Sequence, residues 1–248
     1  VIVGSAWGQR VPGSLAFCWP PAIIPAEPES TADRLQAAVN QYLDESGITM
    51  SQAMRPVHDL LNAMRLSRMG YVHLADLDYL VSSQGNWAGE HPQGPLSFRA
   101  GWWNQKEQLK SVIERTYVDT LDCNQLDNTR SVEDVLTGYR RTGVFRPNWW
   151  VLARHQDRDV GCVLLADHPE HEQCELMYLG VVPEQRGNGW GLQLAKLAQW
   201  TAFQAGRRQL VLAVDDANQP ATALYRRAGF DVWDRRSVYV RTAGSQAP

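Results

Sequence analysis

The segment from Cys174 to Gly206 admits few local folds. It runs "CELMYLGVV", then "PEQRGNGWG", then "LQLAKLAQWTAFQAG". The first part is apolar and of strand length, and the last has Leu194, Leu197 and Thr201 at helical spacing with Gly206 as a stop. Between them Gly187, Gly189 and Gly191 fall within five positions. Glycine is costly in regular structure, so such a cluster requires close backbone approach to something. A strand, a tight turn and a helix start leave several amide N–H groups unpaired, and the helix dipole favours an anion there by about 0.3–1 kcal/mol per charge. Arg186 adds a positive charge. A phosphate or diphosphate is the expected partner. No GK[ST] follows, so this is not the lysine-bearing phosphate loop. Nor is it a dinucleotide fingerprint, because Arg precedes the first glycine and no acidic residue ends the next strand at the right place.

The surrounding order is α/β. Residues 104–121 carry Leu109, Val112, Ile113 and Tyr117 at helical spacing, and 131–143 start with a serine cap and end at Gly143. "NWWVLAR", "VGCVLLAD" and "CELMYLGVV" read as strands joined by polar loops. "QLVLAV" (209–214) is a further strand, and "PATALYRRAG" (220–229) is a helix with Pro at its start and Gly at its end. "FDVWD" and "SVYVR" read as a closing hairpin. This order predicts a mixed sheet flanked by helices.

The first third repeats the later half of that order. "DRLQAAVNQYLDESG", "ITMSQAM", "VHDLLNAMRLSRMG" and "YVHLADLDYLVSS" read as helix, strand, helix and strand. Setting Gly70 on Gly229 gives an offset of 159 residues, which brings Val1 onto Val160. An internal duplication is expected, with a partial first copy that begins at its third strand. "SSQGNWAGEHPQGP" (82–95) reads as a linker, so the expected division is 1–85, a linker at 86–95, and 96–248.

Charge divides along the same line. Residues 1–95 hold 5 Lys/Arg and 9 Asp/Glu, whereas 183–241 hold 9 and 5, so the glycine loop lies in the basic part. Cys18, Cys123, Cys162 and Cys174 share no metal spacing and read as thiols of a reducing compartment. No apolar stretch approaches the roughly 18 residues of a membrane span. The start, "VIVGSAWGQR", lacks the basic flank and long apolar core of a signal peptide, and it lacks a methionine. The expectation is a cytoplasmic protein with no metal, nucleic-acid or membrane partner; its oligomeric state is not legible.

A second segment completes the pattern. "VVPEQRGNGWG" resembles the R-x-x-G-x-G loop of the GNAT acetyltransferase superfamily, and "NQPATALYRRAGF" (218–230) resembles its N-x-x-A-x-x-L-Y-x-x-x-G-F segment. The resemblance covers about 104–241. It implies acetyl-coenzyme A in a V-shaped gap between two splayed central parallel strands, "CELMYLGVV" and "QLVLAV". Backbone groups of Leu179, Val181 and Val182 would pair with the pantetheine arm. The amides of Arg186, Gly187, Asn188, Gly189, Trp190 and Gly191 would hold the diphosphate. Asn218 would contact the pantetheine, or simply cap the helix. Tyr225 falls where the family often places a general acid. Glu175 is the candidate base: Glu175, Met177 and Leu179 are expected on one strand face, and a carboxylate among apolar neighbours has a raised pKa. "DHPEHEQ", with His168 and His171, reads as a polar hairpin tip.

At the same offset the first copy has Glu27 for Arg186, Glu29 for Asn188 and Leu66 for Tyr225. It keeps the scaffold without the chemistry. The expected activity is direct acetyl transfer to an unknown amine. A non-catalytic acyl-CoA-binding module and a nucleotide-binding domain are the alternatives. The tandem arrangement also resembles mycothiol synthase-like members, with no motif that selects their acceptor.

Overall fold

The structure is a computed structural model and describes residues 1–11, 14–101, 105–122 and 131–244. It divides into two units, Val1–Leu77 with Arg235–Pro248, and Asp78–Asp234.

The second unit contains β5 (Ser97–Ala100), α3 (Lys106–Tyr117), α4 (Val132–Tyr139), β6 (Trp150–His155), β7 (Arg158–His168), β8 (Gln173–Val181), α5 (Trp190–Gln204), β9 (Gln209–Asp215) and α6 (Gln219–Arg227). Its strand order is β4-β9-β8-β7-β6-β5, where β4 (Val72–Ser83) contributes its later half. On one face α3 and α4 bury Leu109, Val112, Ile113 and Leu136 against Trp150, Leu152, Cys162 and Leu164. On the other, α5 sets Leu194, Leu197 and Ala198 against Val163, Leu165, Leu176 and Leu212. Strand alternation explains the division, since successive side chains of β7 enter opposite clusters. On α5 the buried stripe is Leu194, Ala195, Leu197, Ala198 and Ala202. The expected Thr201 is half-buried, and its hydroxyl donates to Leu197 O at 2.8 Å.

The first unit contains β1 (Gly4–Val11), β2 (Leu15–Ile23), α1 (Glu29–Glu45), β3 (Met50–Pro56), α2 (Leu60–Arg68), the start of β4 and the end of β10 (Asp231–Thr242). Residues 231–242 are thus one continuous strand rather than the expected hairpin. β3, α2 and β4 have the same bounds as β9, α6 and β10 shifted by 159 residues. Strand β2 departs from that offset. Leu15 pairs with Met50 as Gln173 pairs with Gln209, a shift of 158 for β2 and 159 for β3. Pairing register, not sequence spacing, sets strand equivalence, and a one-residue slip moves every side chain to the other face. Phe17, opposite Gln52, therefore stands where Glu175 stands opposite Val211.

The units also differ from the linear division at 85 and 96, because β4 and β10 each pass from one unit into the other. The glycine- and proline-rich stretch after β4 is anchored: Trp87 is buried, and its indole N–H donates to Ser82 Oγ at 2.8 Å. Cys18, Cys162 and Cys174 are free and buried, and Cys123 lies outside the described residues. No described helix is long and apolar enough to cross a membrane.

Candidate active site

The site begins with a strand pair that stops pairing. β8 and β9 are joined in parallel only at Gln173↔Gln209, Cys174↔Leu210 and Glu175↔Val211, yet β8 continues to Val181 and β9 to Asp215. From Leu176 and Leu212 onward the two strands bound an unpaired gap. The Val182 amide donates to Val160 O at 3.0 Å and its carbonyl accepts from Gln185 N at 2.9 Å, so Val182 faces β7. Backbone direction alternates along a strand, which turns Leu179 and Val181 toward the gap. Val182 is therefore turned away from the gap in this arrangement, whereas the backbone groups of Leu179 and Val181 face it.

The glycine loop follows at the wide end. Gly187 and Gly189 have φ of +82° and +77°, a region that L side chains rarely adopt, and a Cβ on either would meet nothing within 4 Å. Among the described residues the amides of Gly187, Asn188, Gly189, Trp190 and Gly191 have no acceptor. Five such donors at a helix N-terminus form an anion seat. The third glycine has another cause. A Cβ on Gly191 would lie 2.3 Å from Leu224 Cδ1, so the approach there is α6 against α5. The Asn188 side chain donates to Gln185 O at 3.1 Å, and Trp190 tilts against His155 with ring centroids 5.1 Å apart.

Arg186 does not aim at this seat. Its guanidinium donates to Val181 O at 3.2 Å, Asp119 O at 2.9 Å, Thr116 O at 3.0 Å and Val118 O at 2.9 Å. It closes the carbonyl end of α3 and ties that helix to the loop. Its amide is also engaged, donating to Pro183 O at 3.1 Å. A helix-end carbonyl cluster is a strong acceptor for a planar cation, and sequence spacing gives no sign of it.

Asn218 caps α6, its Oδ1 accepting from Ala221 N at 3.2 Å. Tyr225, two turns further along α6, is buried and packs edge-on to Phe230 with centroids 5.5 Å apart. Its hydroxyl has no partner among the described residues. Burial, and then the charge of Asp122, raise its pKa, so the hydroxyl stays protonated.

Glu175 lies at the narrow end, on the last paired residue of β8. Its Oε2 is 3.0 Å from His168 Nε2, so His168 is a partner of the candidate base rather than only part of a hairpin tip. The expected common face of Glu175, Met177 and Leu179 is broken. The register shifts between Leu164↔Tyr178 and Leu165↔Leu176, leaving Met177 as a bulge. Met177 then packs in the cluster of α3 and α4, and Leu179 in that of α5.

Asp122 escaped the sequence reading. Its Oδ1 accepts from Asp215 N at 3.3 Å, at the end of β9. It follows an amphipathic helix and belongs to no motif, so only the fold reveals it. Among the described residues no three His, Cys, Asp or Glu form a metal-ligand group.

Comparisons with known proteins agree with this geometry. Residues 113–230 match the model of the acetyltransferase (GNAT) family. A mycothiol acetyltransferase of Jonesia denitrificans is 37% identical over 87 residues, covering 35% of this chain and 28% of that protein. The match therefore spans under a third of that relative. A GCN5-related N-acetyltransferase from Sphaerobacter thermophilus superposes with a TM-score of 0.66 at 18% identity, covering 97% of this chain and 77% of that one. A tandem GNAT protein from the clavulanic acid biosynthesis pathway gives 0.57 at 16% identity, covering 94% and 76%. The splayed strands and the glycine loop lie within residues 113–230, the part of the chain that matches the GNAT family model.

Proposed function

We propose that the second unit transfers the acetyl group of acetyl-coenzyme A directly to an amine. One observation carries this reading: the unpaired β8/β9 gap opens toward five acceptorless amides, Gly187 to Gly191. An extended pantetheine arm would add to the β8 edge at Leu179 and Val181, and the diphosphate would take the amides. Asn218, capping α6 beside the gap, would hold the arm's amide region.

Glu175, supported by His168, would take a proton from the acceptor ammonium. The amine nitrogen then attacks the acetyl carbonyl and the carbon–sulfur bond breaks. Tyr225 would donate to sulfur as its charge develops, and the proton from the amine restores the balance. The raised tyrosine pKa keeps the donor loaded at neutral pH. The relatives named mycothiol acetyltransferase make a mycothiol-related amine the first acceptor to try.

Thermal melting tests the reading. A ligand that binds only the folded state adds about 2.7 kcal/mol at 100 times its dissociation constant. Acetyl-coenzyme A should raise the melting temperature, and Gly189→Glu should abolish the rise by setting a carboxylate in the diphosphate seat. A folded Gly189→Glu protein that still binds with full affinity rules the assignment out. Binding without transfer to any amine would leave the acyl-CoA-binding module in its place.

A further inference from the structure

We propose that His168 is a positioning residue of the transfer: its Nε2–H holds one oxygen of Glu175, so that the other oxygen meets the acceptor ammonium in a single orientation. This rests on the acetyl-transfer reading and adds the group that orients its base.

Strand register brings the two side chains together. His168 pairs with Gln173 and Ala166 with Glu175, so His168 and Glu175 are diagonal neighbours on antiparallel β7 and β8. Diagonal partners on one face of such a pair are within reach of long side chains. The face is the one that α3 and α4 cover. Cys162 and Leu164, which precede His168 at alternate positions of β7, lie in that cluster. Cys174 and Leu176, on either side of Glu175, lie in the cluster of α5. Glu175 Oε2 is 3.0 Å from His168 Nε2, and Oε1 has no partner among the described residues. Glu175 is also the last residue of β8 paired to β9, so the pair stands at the root of the gap.

The imidazole is held from its other side. Gly143 has φ of +57°, and a Cβ there would lie 2.9 Å from His168 Cε1 and 3.0 Å from Nδ1. The main chain of Gly143 thus packs directly on the ring, which only glycine permits. The next residue, Val144, donates to Asp167 O at 2.7 Å and accepts from Asp167 N at 3.2 Å. Asp167 is buried, and its carboxylate takes Arg207 at 2.7 and 3.2 Å and Arg146 at 3.0 Å. The residue before His168 is therefore pinned through both backbone and side chain.

Glu175 has no such scaffold of its own. Its side chain is 37% exposed, and His168 is its one hydrogen-bond partner among the described residues. A base must lie within hydrogen-bond reach of the proton it takes, and a misplacement of about 1 Å can cost about 10²-fold. The pinned imidazole supplies the rigidity that the carboxylate lacks. It serves only an acceptor that must lose a proton first. Glu175 takes that proton, the nitrogen lone pair then bonds to the acetyl carbon, and the carbon–sulfur bond breaks. An acceptor that is already neutral needs neither residue.

The test uses the full chain, acetyl-coenzyme A and two small acceptors at neutral pH. Ethylamine is an ammonium there and needs a base, whereas hydroxylamine is largely the free base and does not. His168→Asn stays polar but brings its amide short of Glu175. It should lower kcat for ethylamine about 10–100-fold, with little change in KM, in coenzyme affinity by calorimetry or in hydroxylamine turnover. His168→Gln carries its amide to the place of Nε2 and should restore most of the ethylamine rate. In a Glu175→Gln background, His168→Asn should add no further loss. The ratio of the two rates within one variant cancels any difference in folded fraction. An ethylamine-to-hydroxylamine ratio unchanged in His168→Asn, a glutamine variant no better than the asparagine one, or a full further loss in the Glu175→Gln background overturns the proposal and leaves the transfer reading standing. So does a wild type that acetylates hydroxylamine alone. A wild type that acetylates neither amine overturns the transfer reading, and the proposal with it.

Discussion

At the start of α5 five amides have no acceptor; at the equivalent start of α1 the chain supplies its own anion. Glu29 is the first residue of α1. Arg65 donates to its two oxygens at 2.9 and 2.6 Å, and Arg68 donates at 3.1 Å. Hydrogen bonding from Arg65, with a smaller contribution from Arg68, holds the Glu29 carboxyl down to a pKa of about 2. In the second unit Leu224 takes the place of Arg65, and Asn188 that of Glu29. The splayed strands persist in both units. β2 and β3 part after Phe17↔Gln52, leaving a cleft of about 220 Å³ lined by Phe17, Cys18, Trp19, Gln52 and Met54. That cleft has an aromatic ring where Glu175 stands, and Leu66 where Tyr225 stands. One scaffold can leave a helix end for a ligand or neutralise it internally, and the second choice forecloses the first.

The largest effect that would test this contrast belongs to Tyr225. Tyr225→Phe should keep the fold and coenzyme binding, and lower turnover by about 10²–10⁴-fold under conditions where chemistry limits the rate. Adding Leu66→Tyr to that variant should restore nothing. Recovery of activity would mean that the first unit is a working site.

Stoichiometry sharpens the same point. Calorimetric titration should give one acetyl-coenzyme A per chain, with Glu29→Asn still giving one. The first unit has no glycine between Gly13 and Gly47 to open its loop. A second equivalent in either protein would break the contrast.

Helix packing gives a smaller effect. Gly191→Ala puts a methyl 2.3 Å from Leu224 Cδ1 and should cost about 1–3 kcal/mol by denaturant titration. At the equivalent place the first unit has buried Ala32, where alanine already fits. Ala32→Gly should cost about 1 kcal/mol, mainly from helix propensity.

The smallest effect is the pH dependence of Glu29. Its folded pKa is depressed, so its contribution is present above the unfolded value of about 4.3 and is lost as pH falls toward about 2. The difference in urea midpoint between wild type and Glu29→Gln should be measurable at pH 7 and gone near pH 2. A difference that persists at low pH would show that Glu29 acts through something other than its charge.

The sequence was legible wherever one local pattern decides the outcome. The loop of Gly187 and Gly189, the α6 cap at Asn218 and the repeat after Glu29 all follow from short-range rules. What it hid depends on long-range contacts. The β2 register shift that puts Phe17 in the place of Glu175, and the bulge at Met177, are set by partner strands. Arg186 looked like a ligand for an anion because its spacing suited one, yet the carbonyls at the end of α3 compete for it successfully. Asp122 acquires a structural partner only once the fold brings the end of β9 beside it.

The two long strands β4 and β10 have a consequence for synthesis. The first unit includes Arg235–Thr242, which pairs with β3 from Arg236↔Pro56 to Thr242↔Met50. Those residues leave the ribosome about 180 residues after the β3 residues they pair with. Domains ordinarily fold in turn, N-terminal first, as the chain emerges at about 5–20 residues per second. Here the first unit must wait, with an edge of β3 open, until β10 has been made. For roughly ten seconds or more that edge is exposed to any other strand in the vicinity, and a nascent neighbour on the same messenger carries a matching one.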